Sequence, residues 1–304
     1  MIAPASAESV PVCSVVVPSY RSAATIRSCL EALRLQDFAG PFEVIVVDSG
    51  DDDTAAIVRR EFPEVQLLHL PQQTEAPLAR NLGVERSRAD VLAFVDSDCR
   101  AAPDWLRRLH ETIAQGYDAV GGSVANGNPE TLVSWAGYMC EFREFLPQGE
   151  AHDALDLTEG NVAYRRAVLL TAGGFPTGYF PQEGQVLNRK LRSQGARLRF
   201  DPGIRVAHTH REDRRTFLDH QRRIGRTNAS VARRLGLPGA ALARSALLAR
   251  LAAPALVTYR FVRTLRACRR VEGGLVFRRP ALARLVWLGM CSWGRGFFEG
   301  AGRA

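Results

Sequence analysis

The sequence predicts an α/β protein: a mostly parallel sheet flanked by helices, followed by a helical C-terminal extension. Three observations carry the prediction. Apolar, largely β-branched runs of strand length alternate with helical stretches through the first half of the chain, and strands apolar on both faces belong to parallel sheets covered on both sides. Acidic turns follow two of those runs directly, at Asp48–Asp53 and Asp96–Asp98. The charge is also divided. Of a net +8 over 304 residues, residues 240–304 hold twelve Arg against Glu272 and Glu299, a net of +10, which leaves 8 − 10 = −2 for residues 1–239.

The elements follow in order. Val12–Val17, stopped by Pro18, is the first strand. Ser22–Leu35 places Ile26, Leu30 and Leu33 on one helical face. Phe42–Val47 is a second strand ending at Asp48, Thr54–Phe62 a helix and Val65–Leu70 a third strand. Pro77–Arg86 is helical, and Val91–Val95 is a fourth strand ending at Asp96. Pro103–Gln115 is a helix with Pro103 near its first turn, where a missing N–H costs little. Ala119–Val124 is a fifth strand. The stretch 127–210 is less regular, with a short strand at Asn161–Tyr164, helices at Arg165–Ala172 and Glu183–Gln194, and an extended segment at Leu198–Ala207. From about Arg214 the chain is helical, broken near Gly236-Leu237-Pro238-Gly239. Two domains are expected, residues 1–235 and 236–304.

Composition excludes several classes. With 46% hydrophobic and 24% charged residues, wholesale disorder, collagen and a multi-span membrane protein are ruled out. Six cysteines without a CxxC pair form neither a zinc pattern nor a disulfide framework, so reduced thiols in a cytosolic protein are expected. No basic stretch followed by a long apolar run marks a leader at the N-terminus. Lys190 is the only Lys. The basic charge sits in an Arg/Leu/Trp tail and no nucleic-acid motif is present, so no nucleic-acid partner is expected.

The acidic turns carry the chemistry. In open parallel sheets ligands bind beyond the carboxyl ends of the strands, so Pro18-Ser19-Tyr20, Asp48–Asp53 and Asp96–Asp98 should converge on one rim. Asp48–Thr54 puts four carboxylates in seven residues, either as a solvated turn capped by Asp53 or as part of a site. In Asp96-Ser97-Asp98 two close carboxylates repel unless a cation compensates. Oxygen ligands of this kind suit Mg²⁺ or Mn²⁺.

Five motifs then line up: Val15-Val16-Val17-Pro18-Ser19-Tyr20-Arg21, Val46–Thr54, Ala79-Arg80-Asn81-Leu82-Gly83, Phe94–Asp98 and Gly173-Gly174-Phe175. Together, over roughly residues 11–210, they resemble family 2 glycosyltransferases, inverting enzymes with a GT-A fold, a Rossmann-like nucleotide-binding sheet. The resemblance implies a nucleotide-diphosphate sugar donor and a divalent metal. Pro18 and Tyr20 then line the nucleoside pocket, Asp48 meets the base, and Arg80 and Asn81 lie beside the nucleotide. Asp96 faces the ribose or metal, and Asp98 is the direct metal ligand. Gly174, Phe175 and Asn161, with Tyr164-Arg165-Arg166, border the acceptor. His208 completes the metal or diphosphate site, or is a hydrogen-bonded strand end; His210 is the other member of its His-x-His. The cluster Arg211, Arg214, Arg215, Arg222, Arg223 and Arg226 contacts the diphosphate or forms a solvated helix face.

One motif departs from the pattern. The family carries a Glu-Asp pair before a helix, and its Asp is the general base. Aligned on Leu187, Leu191 and Gly195, this chain reads Gln182-Glu183-Gly184-Gln185, with Gly184 where the Asp is expected. Glu183 is the first candidate for the base and Glu159 the second. The missing Asp also admits a non-catalytic nucleotide-sugar-binding or scaffold protein, and a nucleotidyltransferase is a further alternative.

In the tail, Leu242–Leu265 and Ala281–Phe298 are interrupted by Arg, which argues against spanning helices. They fit helices lying in a membrane interface, with Trp287 and Trp293 at the boundary, or a packed helical subdomain. A peripheral place on the cytoplasmic face of the membrane, with an unknown hydroxyl acceptor that includes lipid-linked ones, is the resulting expectation.

Overall fold

The computed structural model describes residues 10–302; the reading of the N-terminus as lacking a leader falls on residues outside these. The chain forms two compact units. One is the chain up to Ala125 together with Pro147–His208, and the other is Asn126–Leu146 together with the chain from Thr209 onward.

In the first unit the apolar runs become strands β1 (Cys13–Ser19), β2 (Phe42–Asp48), β3 (Gln66–His69) and β4 (Val91–Val95). They are followed by β5 (Cys99–Ala101), β6 (Ala119–Asn126), β7 (His152–Asp153), β8 (Asn161–Arg165) and β9 (Leu198–His208). The main path of the sheet runs β3-β2-β1-β4-β8-β6-β9-β5, with β7 paired to β9. β1, β2, β3 and β4 are parallel. β8 is antiparallel to both β4 and β6, and β9 is antiparallel to β5 and β7.

The chain steps outward from β1 to β3 and then returns to the other side of β1 for β4. That reversal creates a switch point between β1 and β4, where a crevice opens at the carboxyl ends. The helices are α1 (Ile26–Arg34), α2 (Thr54–Glu61), α3 (Ala76–Arg86) and α4 (Trp105–Ala114). In the second unit α5 covers Leu132–Glu141, and in the first unit α6 covers Arg166–Thr171 and α7 Glu183–Ser193.

Every residue of β1, β2 and β4 is buried, including Ser14 of β1 and Glu43 of β2, whose side chains hydrogen-bond each other at 2.6 Å. On α1, Ile26, Leu30 and Leu33 are fully enclosed, each contributing about 1.5–3 kcal/mol. Phe94 of β4, Tyr164 of β8 and Phe175 meet edge to face at 4.9–6.0 Å, which joins the parallel and antiparallel parts of the sheet. Strands β5 and β7 and helix α5 had no counterpart in the sequence reading.

The second unit contains α5, α8 (Arg214–Leu235), α9 (Ala240–Ala243), α10 (Ala246–Ala267), a 3₁₀ turn (Cys268–Gly273), α11 (Leu275–Arg278) and α12 (Pro280–Gly300). Its core joins Trp135, Tyr138 and Met139 of α5 to Phe217 of α8 and to Leu282, Val286 and Met290 of α12. The sequence reading began the extension at residue 236, but α8 and α5 pack with it. The reason is backbone proximity. A Cβ at Gly225 of α8 would overlap the Trp293 carbonyl, and Cβ atoms at Gly296 and Gly300 of α12 would overlap the carbonyls of Arg222 and Arg226. Only glycine permits this approach, and Glu299 seals it by pairing with Arg222, Arg226 and Arg295.

Trp293, expected at a membrane boundary, is instead buried, and its indole donates to Asn228 Oδ1 at 2.7 Å. Trp287 remains partly exposed. Among the described residues no helix is long and apolar enough to cross a membrane.

Candidate functional site

The three strand-end loops do meet. Ser22, after β1, donates its N–H to Thr54 Oγ1 at 3.0 Å, and its hydroxyl lies 2.8 Å from that of Ser97 after β4. Asp52 accepts the N–H of Ala23 at 3.0 Å and the Thr54 hydroxyl at 2.6 Å. Asp53 occupies the cap position of α2 without a side-chain hydrogen bond. Pro18 is buried in β1 beside Val47. Tyr20 is exposed, with the Arg21 guanidinium 5.4 Å from its ring centre. Asp48 is fully enclosed; its oxygens accept from the Ser19 hydroxyl at 3.0 Å and lie 2.9 Å from His69 Nδ1.

Arg80 is the centre of the charged network. It is 3% exposed, and it donates from one terminal nitrogen to Asp96 Oδ1 at 2.7 Å and from the other to Glu183 Oε1 at 2.8 Å. Its guanidinium carbon lies 5.5 Å from the Phe175 ring centre. Burial opposes its charge, but Asp96, Glu183 and Glu159 outweigh burial and raise its pKa. The adjacent Asn81 clamps Phe175: its amide donates to the Phe175 carbonyl and accepts the Phe175 N–H, both at 2.8 Å. Gly174 has φ +76°, and a Cβ there would lie 2.6 Å from Asn81 Oδ1, so the clamp requires glycine on both counts. Arg80 and Asn81 are therefore engaged with the protein itself.

Asp98 emerges after β4, and His208 ends β9 next to Cys99 of β5, its register partner. His208 Nε2 is 3.4 Å from Asp98 Oδ2. Ligand atoms of Asp98, Cys99 and His208 lie within 4.8 Å of one another. A partly open carboxylate and an imidazole fit a divalent cation such as Mn²⁺. Burial, with Asp98 and Asp96 nearby, pushes the Cys99 thiol well above its ordinary pKa. His210 belongs to the second unit, where its ring meets Tyr138 and Phe142 at 5.8 and 5.6 Å. Of the Arg cluster, Arg222 and Arg226 face Glu299, and Arg211 lies 3.9 Å from Glu141.

At the start of α7, Glu183 is 2% exposed, with one oxygen on Arg80 and the other buried without a partner. Burial raises its pKa, and Arg80 opposes that. Glu159 Oε1 accepts the Gly184 N–H at 2.6 Å. Asn161 is fully buried: its amide donates to the carbonyls of Ser123 and Ile204 at 2.9 and 3.1 Å and accepts from the Trp105 indole at 2.8 Å. Both of its protons are spent tying β8 to β6 and β9. Sequence reasoning missed the Ser22–Ser97 contact and the Cys99 thiol. The signal for the second was its place directly after Asp98.

The arrangement can be set beside known proteins. The family model described as Glycosyl transferase family 2 matches residues 14–171. Over 120 residues the chain is 38% identical to Glycosyltransferase AglE of Haloferax volcanii, covering 38% of this chain and 40% of that protein. It is 28% identical to Glucosyl-dolichyl phosphate glucuronosyltransferase of the same organism over 231 residues, 69% of this chain and 71% of that one. The mannosyltransferase PcManGT from Pyrobaculum calidifontis, solved in complex with GDP-Man and Mn²⁺, matches 97% of this chain and 88% of its own, with TM-score 0.61 and 21% identity. That likeness shows the fold, GT-A, with its mixed, mostly parallel sheet. Since the family model covers more than half of the 304 residues and includes each of the acidic strand ends gathered on the rim, the chain belongs to glycosyl transferase family 2.

Proposed function

We propose that the protein is an inverting, metal-dependent glycosyltransferase that moves a sugar from a nucleoside-diphosphate sugar to an acceptor hydroxyl. The observation that carries this is the Asp98–His208 pair beside the end of β4, next to the switch point where such sheets bind ligands. Asp98 and His208 would hold Mn²⁺ or Mg²⁺, which when bound neutralises charge on a departing diphosphate. Pro18, Tyr20 and Asp48 stand at the ends of β1 and β2 and would receive the nucleoside. Arg80 holds Asp96 by the 2.7 Å ion pair to Oδ1 and orients it toward the donor. Asn81 fixes Gly174-Phe175, and Asn161 fixes β8, so both shape the acceptor side by positioning. The base is one of the two carboxylates that meet at the start of α7, Glu183 or Glu159.

The donor class is supported by PcManGT, whose structure contains GDP-Man and Mn²⁺. A lipid-linked acceptor is supported by the relative named for dolichyl phosphate. A peripheral position on a membrane is supported by α10, which leaves Leu247, Leu248, Leu251 and Tyr259 exposed among arginines.

Calorimetric titration of UDP, GDP and dTDP, with and without Mn²⁺, tests the reading. One nucleotide should bind in a Mn²⁺-dependent way to the wild type. Asp98→Ala should lose that metal dependence, with affinity down about tenfold or more. A folded wild type that binds none of the three would sink the proposal.

A further inference from the structure

The carboxylates on the rim are unequally committed. Asp96 and Glu183 each give an oxygen to Arg80, Asp98 faces His208, and Asp48 is closed in by Ser19 and His69. Glu183 is also shut away from any incoming molecule by its burial. Glu159 differs in two ways. It retains some solvent exposure, and its Oε1 accepts from a neutral backbone N–H, that of Gly184, and is not held by a cationic side chain. Residue 184 has no side chain, and a Cβ built there would overlap Oε1, Cδ and Cγ of Glu159. The Glu159 carboxyl thus occupies the space that a side chain in the first turn of α7 would take. The next residue, Gly160, packs against Asp96, whose Oδ2 would lie 2.6 Å from a Cβ there. The pair 159–160 is held against both α7 and the end of β4.

The charged and titratable groups facing Glu159 are Glu183 of α7, Arg80 of α3, Tyr164 of β8 and Asp156 of the preceding loop. Burial and the Glu183 charge raise its pKa, Arg80 opposes them, and the balance pushes it up to about 8. A general base works best with a pKa near the working pH.

We propose that Glu159, held by the N–H of Gly184, is the general base of the transfer; this rests on the glycosyltransfer reading above. A carboxylate oxygen of Glu159 takes the proton of the acceptor hydroxyl. The acceptor oxygen forms the new bond to the anomeric carbon with its freed electron pair. The bond from that carbon to the donor's phosphate oxygen breaks, and its pair leaves with the nucleoside diphosphate. Glu159 ends as the neutral acid and returns its proton to water.

The test measures nucleoside diphosphate release from UDP-GlcNAc, UDP-glucose and GDP-mannose with Mn²⁺ and water as acceptor, alongside binding of the free nucleoside diphosphate. Glu159→Gln should lower kcat by about 10²–10⁴-fold while nucleotide affinity holds within about twofold. The wild-type rate should climb with pH and level off above about 8, and the variant should lose that climb. Glu159→Ala combined with Gly184→Asp should recover about tenfold or more over Glu159→Ala alone, because a carboxyl at 184 enters the vacated space. A Glu159→Gln rate within about threefold of wild type, or a loss confined to nucleotide affinity, overturns the proposal. If Glu159→Gln does not fold, absence of recovery in the double variant overturns it. A wild type that binds nucleotide but turns over none of the donors overturns the glycosyltransfer reading and this proposal with it, an outcome recognisable because the wild type itself fails.

Discussion

Arg80 shows how one side chain can bind a fold and a site together. It is nearly sealed from solvent yet faces two carboxylates, so its charge is compensated only while both partners stay in place. Removing one member of a buried ion pair leaves an uncompensated charge and costs about 3–5 kcal/mol. Arg80→Met should therefore lower unfolding stability by about that amount in a denaturant titration, because Glu183 would be left buried alone. A loss below about 1 kcal/mol would mean that water or a shifted Glu183 takes up the charge. None of this was legible in the sequence. Arg80 and Glu183 are 103 positions apart, and no local pattern joins them. The positions of Asp48 and Asp96 at strand ends were legible because each directly follows an apolar run, but the enclosure of Asp48 by Ser19 and His69 was not.

At the scale of elements the same contrast holds. Strands β1, β2 and β4 were readable because they are apolar on both faces and lie between helices with one apolar stripe. Helix α5 was not, since it is buried nearly all round and shows no stripe; its one cue was Thr131, whose hydroxyl accepts the Ser134 N–H at 3.1 Å. Strands β5 and β7 are only three and two residues long. They exist because β9 supplies their hydrogen bonds, which a local reading cannot see.

The α8–α12 contact was also hidden, since glycines in a helix read as weakness until a partner backbone is in place. Gly296→Val should then cost about 3 kcal/mol or more of stability through the clash with the Arg222 carbonyl, read by thermal unfolding. Gly236→Val, at a φ of +62° where an added Cβ meets nothing within 4 Å beyond its chain neighbours, should cost only about 1–2 kcal/mol of backbone strain. Equal losses at the two sites would remove the close-approach account.

For the molecule as a whole, the uneven charge is the property with the widest reach. Residues 1–239 carry a net −2 and residues 240–304 a net +10. The exposed apolar residues of α10 lie in that basic stretch. Sedimentation with phosphatidylglycerol-containing vesicles should show binding that falls as salt rises, because arginines near an anionic surface are screened within a Debye length. Leu247→Glu with Leu251→Glu should weaken that binding by about tenfold or more. Equal binding to neutral phosphatidylcholine, or indifference to salt, would remove the arginines from the account, and failure to bind either vesicle would argue that α10 meets a protein instead.

The α8–α12 join also bears on synthesis. All strands of the first unit have been translated by His208, whereas α8 finds its glycine-lined partner only when Pro280–Gly300 emerges. At about 5–20 residues per second, the first unit has a lead of roughly 5–20 s over the second. During that interval α5 and α8 wait with Trp135, Met139 and Phe217 uncovered by α12. A nascent chain stalled before α12 should therefore be the form most attractive to chaperones and proteases.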